Sequence, residues 1–126
     1  MDTLSKFSLP IILFLLTIAF GLWVSKVGKP YNGALFNIHK LIALGAVVLA
    51  VIQLSKLGVV GSPLLVVPLI LAGLCAIALF ASGALMSMDK LPYTLTLSIH
   101  RIAPVLLVIA TGTAAYLLIA SPALVK

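Results

Sequence analysis

The chain has 126 residues, of which 63% are hydrophobic and 8% charged, against roughly 25% charged in soluble domains. So little polar surface cannot cover a water-soluble globule, and a spanning helix needs about 20 apolar residues. Four spans with short loops therefore use nearly the whole chain and leave no room for a soluble catalytic domain. The net charge of +6 is not a nucleic-acid footprint, because the basic residues stand singly near the ends of apolar runs. There they snorkel to the interface and meet anionic headgroups.

The first apolar run follows Asp2 and Lys6, is long and lacks a small-residue cleavage pattern, so a retained helix is expected rather than a cleaved leader. Span 1 is placed over 8–25, span 2 over 33–54, span 3 over 64–88 and span 4 over 93–121. The breaks carry turn chemistry: Gly28-Lys29-Pro30, the stretch 58–63 with Gly58 and Pro63, and 89–92 with Asp89 and Pro92. Pro30 and Pro92 suit helix entries, Pro122 supports the last stop, and Pro63 and Pro68 compete for the start of span 3. Cys75 is the only cysteine. It excludes an intrachain disulfide, and its apolar setting predicts a buried packing residue. Lipid offers the backbone no hydrogen-bond partners, and runs of this length without period-two alternation are helices. The expected fold is an all-α integral membrane protein, one up-down bundle of four transmembrane helices made of two similar hairpins, 8–57 and 63–121.

The two halves repeat. Gly21, Ser25, Pro30 and Tyr31 match Gly83, Ser87, Pro92 and Tyr93 at a constant offset of 62, and His39 matches His100 at 61. The words around the histidines also agree, Asn37-Ile38-His39-Lys40 against Ser98-Ile99-His100-Arg101. This pattern predicts two hairpins related by an axis along the membrane normal.

An ionisable side chain inside a membrane is costly and marks a functional position. Both histidines fall at roughly 10 Å below the face that bears the hairpin turns, at 1.5 Å per residue. Gly21 and Gly83 fall in the same layer. In an up-down bundle the two histidine helices take one diagonal, roughly 12–14 Å across for neighbours 8–10 Å apart. That span is too long for a direct hydrogen bond and suits two imidazoles on opposite faces of one iron. Glycines on the other diagonal would leave room for the edge of a flat macrocycle. Lys40 and Arg101 follow the histidines and can reach the interface, where haem propionates would emerge, and Tyr31 and Tyr93 suit the interfacial belt and can donate there. Taken singly, each of these residues also has a plain structural use: interhelical bonding for a histidine, close helix packing for a glycine, topology or lipid binding for a cation. Zinc asks for three or four ligands, and the only acidic residues, Asp2 and Asp89, lie outside the layer.

With these residues the chain resembles the membrane b-type cytochromes, four-helix haem bundles such as the cytochrome b561 superfamily and the small cytochrome b subunits of bacterial respiratory enzymes. The resemblance rests on the four-span layout with His39, His100, Gly21 and Gly83, and on Lys40 and Arg101 as propionate partners. It implies one bis-histidine haem b and electron transfer, often to or from a quinone. Many such cytochromes hold two haems on four histidines, whereas two histidines serve one. About 20 Å of hydrocarbon would remain to the far face, to be bridged by a second haem, a quinone or a partner. The expected function is electron transfer as a subunit of a redox complex or as a homo-oligomer, without an independent catalytic site. The competing readings are a haem-free accessory or assembly subunit and a proton-path element using the histidines. Lys26, Lys29, Lys40, Lys90 and Arg101 lie towards the turn face, against Lys6, Lys56 and Lys126 on the other. The positive-inside rule then puts the turns in the cytoplasm of a prokaryotic membrane and the termini outside.

Overall fold

The computed structural model describes residues 3–57, 62–121 and 123. Asp2, Gly58, Pro122 and Lys126 lie outside them. Among the described residues the elements are helices: α1 (Thr3–Lys6), α2 (Ser8–Val27), α3 (Gly33–Leu57), α4 (Pro63–Met88) and α5 (Tyr93–Ala120). The four long ones are each long and apolar enough to cross a membrane. This is the all-α, four-span class expected from composition, and the helix ends fall close to the expected ones. α3 runs three residues further, to Leu57.

Local chemistry explains the ends. α2 stops at Gly28, whose φ of 73° is open to glycine at no steric cost. α3 starts under a cap: Asn32 Oδ1 accepts from the amides of Ala34 (3.0 Å) and Leu35 (3.2 Å), satisfying donors that a helix start leaves orphaned. Pro63 opens α4 at its first turn and Pro68 stands inside the helix, which settles the competition between them. α4 ends at Asp89 in the left-handed region, with φ 52°. α5 begins directly after Pro92 and continues through Pro104.

The chain divides into two compact units, Met1–Val59 and Val60–Lys126. In the first, α2 packs on α3 across a five-residue turn; in the second, α4 packs on α5 across a four-residue turn. Each is an antiparallel helical hairpin, as a short connection requires. The second hairpin shows its seam plainly. Buried positions on α4 are Leu65, Pro68, Ala72, Cys75, Ser82 and Met86, and on α5 Thr96, Ala103, Ala110, Ala114 and Leu118. Their spacings of three, four and seven make one stripe per helix. Most are small, which lets two backbones approach where lipid offers no hydrophobic drive. Cys75 is buried in this seam, as expected. Large side chains such as Leu74, Ile77, Ile102 and Ile109 are exposed, which suits helices long and apolar enough to cross a membrane.

Ala110 is 2% exposed, so Ala110→Leu should destabilise the α4–α5 pair by about 1–3 kcal/mol, the usual cost of overpacking. Ile109→Leu, one position back and 59% exposed, should change little. Reversible unfolding in detergent micelles reads both, and equal effects would contradict the assigned seam.

Candidate functional site

The site is built twice, once in each hairpin. In the first, His39 is the seventh residue of α3, and its Nδ1 lies 2.9 Å from the carbonyl oxygen of Thr17 on α2. In the second, His100 is the eighth residue of α5, and its Nδ1 lies 3.1 Å from the carbonyl oxygen of Leu79 on α4. Thr17 and Leu79 stand at the same offset of 62 as the repeated glycines. The repeat inferred from side chains therefore extends to a backbone atom.

Glycine makes this bond accessible. In each hairpin the glycine follows the accepting carbonyl by four residues, so its amide closes the helical bond to that carbonyl. A side chain at that position would shield the oxygen. A Cβ built on Gly21 would stand 2.8 Å from His39 Cε1, and one on Gly83 would stand 3.3 Å from His100 Cε1. Each glycine lies level with the histidine of its own hairpin, and the space over it is filled by that imidazole. The expected gap for a macrocycle edge is thus, at these two positions, a gap for a ring that is already in the chain.

A carbonyl oxygen only accepts, so each bond places the imidazole proton on Nδ1 and the lone pair on Nε2. Donation from one ring nitrogen to a carbonyl is the usual way a ligating histidine has its tautomer and ring plane fixed. The donor set thus fits a metal held through Nε2. Among the described residues no group of three or more His, Cys, Asp or Glu side chains comes together to hold a metal ion. A haem asks for less, because its macrocycle supplies four nitrogens and the protein only the axial pair.

The other predicted residues are placed as follows. Lys40 and Arg101 are exposed, one residue beyond their histidines. Tyr31 is half-buried at the first turn, stacked on Phe36 with ring centroids 6.1 Å apart, and Lys29 Nζ stands 5.9 Å from its centroid. Tyr93 is exposed at the first residue of α5. The two tyrosines, matched in sequence, thus have different settings. Sequence reasoning missed the Thr17 and Leu79 carbonyls, which no side chain announces. It also missed Ser82, which is 3% exposed and whose Oγ lies 2.9 Å from His100 Nδ1. A polar residue beside a repeated glycine was the available signal.

The two glycines should differ from glycines in open space. Gly21→Ala must displace His39 and should destabilise by about 1–3 kcal/mol, with Gly83→Ala milder. Gly73→Ala and Gly112→Ala meet nothing within 4 Å and should stabilise by up to about 1 kcal/mol through helix propensity. Unfolding in micelles, with histidine side-chain NMR, checks this; a Gly21→Ala variant as benign as Gly73→Ala would remove the close approach.

No protein-family model, no characterised protein and no solved structure matches this chain.

Proposed function

We propose that this chain is a membrane-embedded b-type cytochrome that holds one haem b with His39 and His100 as axial ligands and transfers electrons. The observation that carries this reading is the duplicated hold: in both hairpins an imidazole donates Nδ1–H to a carbonyl exposed by a glycine, so that Nε2 bears the lone pair. A single buried histidine needs no such explanation. Two, presented in one way by matching residues of a repeat, suit a group that takes two equivalent axial ligands.

When bound, the haem supplies a one-electron ferric–ferrous couple. With both axial positions filled by imidazole, the reading favours electron transfer over oxygen activation. The chain's own residues fix the two rings, exclude water with apolar helices and provide cations. Lys40 and Arg101 are taken as propionate partners, with Tyr31 and Tyr93 as further donors at the interface. Electron exchange with a quinone or with other redox subunits, or within a homo-oligomer, would carry charge over the remaining hydrocarbon. With Lys40 and Arg101 given to the haem, Lys26, Lys29 and Lys90 near the turns stand against Lys6, Lys56 and Lys126 towards the other face, and the positive-inside rule then favours neither orientation.

The same bonds also tie the helices of each hairpin, at about 0.6–2 kcal/mol for an interhelical polar contact in lipid. A haem-free accessory subunit is therefore the second reading. A proton path is less favoured, because the hydroxyls of Thr111 and Thr113 bond carbonyls of their own helix, Leu107 and Ile109, at 2.7 and 2.8 Å.

Absorbance of the protein purified from haem-sufficient membranes decides between them. The cytochrome reading expects a low-spin b-type spectrum, lost in both His39→Ala and His100→Ala while membrane insertion is kept. A variant with an unchanged spectrum would exclude that histidine as a ligand, and a wild-type protein without haem would leave the accessory reading. A positive charge near the iron favours the reduced form, so Arg101→Gln should lower the midpoint potential by tens of millivolts, where about 59 mV is a tenfold change in a one-electron equilibrium. An unchanged or raised potential at full haem occupancy would assign Arg101 to lipid headgroups.

A further inference from the structure

The repeat is broken at one place that touches a histidine. Position 82 carries a serine, and its counterpart at the offset of 62 is Phe20, which has no hydroxyl and stacks on Trp23 with centroids 5.9 Å apart. Ser82 is buried. Its Oγ lies 2.9 Å from His100 Nδ1 and donates to the Leu79 carbonyl oxygen at 3.1 Å. The same carbonyl receives His100 Nδ1 at 3.1 Å. Three atoms therefore form a closed set. The carbonyl can only accept, so Nδ1 carries its proton and points it at both oxygens. The hydroxyl accepts from Nδ1–H and spends its own hydrogen on the carbonyl. Turning the hydroxyl toward Nδ1 would require a bare Nδ1, whose lone pair would then face the carbonyl oxygen at 3.1 Å. One arrangement uses every hydrogen, and it fixes the tautomer.

We propose that Ser82 is a positioning residue for His100, a second acceptor that commits this imidazole to the Nδ1–H tautomer and so presents Nε2 as the lone-pair nitrogen. The first hairpin carries Phe20 at the matching position, so this hydroxyl belongs to the second hairpin and not to the repeat. What Nε2 then binds rests on the haem reading; the tautomer does not.

The test uses the full chain in lipid nanodiscs with 15N-labelled histidine, both haem-free and after haem loading. In haem-free Ser82→Ala the ratio of Nδ1–H to Nε2–H tautomer at His100 should fall about three- to tenfold, the size of one neutral hydrogen bond. The His39 signals should stay as they are and report an intact fold. Ser82→Cys keeps the shape with a poor acceptor and should fall alike, which decides the matter if the alanine variant disturbs His39. Ser82→Thr restores a hydroxyl and should restore the ratio. In the haem-loaded chain, Ser82→Ala should release haem faster by a similar factor. An unchanged His100 ratio in the alanine or cysteine variant with His39 intact would overturn the assignment. A wild-type chain that takes up no haem, with the tautomer shift still present, would overturn the haem reading and leave the positioning role standing.

Discussion

An imidazole in hydrocarbon must place its N–H somewhere, because lipid accepts no hydrogen bond. A helix offers carbonyl oxygens, each already receiving one amide and each with a second lone pair to spare. Side chains normally cover that lone pair. In both hairpins a glycine four residues on removes the cover, and the histidine of the facing helix moves in until its Cε1 stands 2.8 Å (His39) or 3.3 Å (His100) from where a Cβ would be. The pairing of the two helices, the choice of glycine, the depth of the ring and the tautomer all follow from this one requirement. A larger side chain at either glycine would force the ring away from its acceptor.

The bond explains why the repeat is exact in some positions and loose in others. Thr17, Gly21 and His39 recur as Leu79, Gly83 and His100. At the first of these the side chain is free to change, since only the backbone oxygen is used. Thr17 spends its hydroxyl on the Leu13 carbonyl at 2.8 Å, and Leu79 has none to spend. The turns differ too. Asn32 caps α3, whereas α5 starts straight after Pro92. That difference places His39 seventh in its helix and His100 eighth, and the loss of one residue appears as the change of offset from 62 to 61.

Much of the fold was legible beforehand. Four apolar runs between Gly, Pro and Asp breaks can only be helices in lipid, and their ends fell close to the expected positions because turn chemistry is local. That each glycine lies level with the histidine of its own hairpin was legible as well, since depth follows from counting residues. What each glycine meets was not. Sequence shows that a side chain is missing but not which neighbour fills the space, and the neighbour proved to be the histidine of the same hairpin. The Thr17 and Leu79 carbonyls were hidden for a simpler reason: every residue has one, and only tertiary packing selects which is reached. Ser82 was in plain view but drew no reading, because its use depends on a ring that arrives from another helix.

A haem read into this chain would have two ligands presented alike, and a single redox centre near one face. Such a centre passes electrons across a bilayer only with a partner, a quinone or a second copy. The most direct test of axial ligation is pulsed EPR on the ferric haem-loaded protein with 15N-labelled histidine. A low-spin signal with nitrogen couplings from two imidazoles, reduced to one in His39→Ala and in His100→Ala, is the predicted result. A high-spin signal from the unsubstituted protein, or couplings unchanged by either substitution, would contradict it.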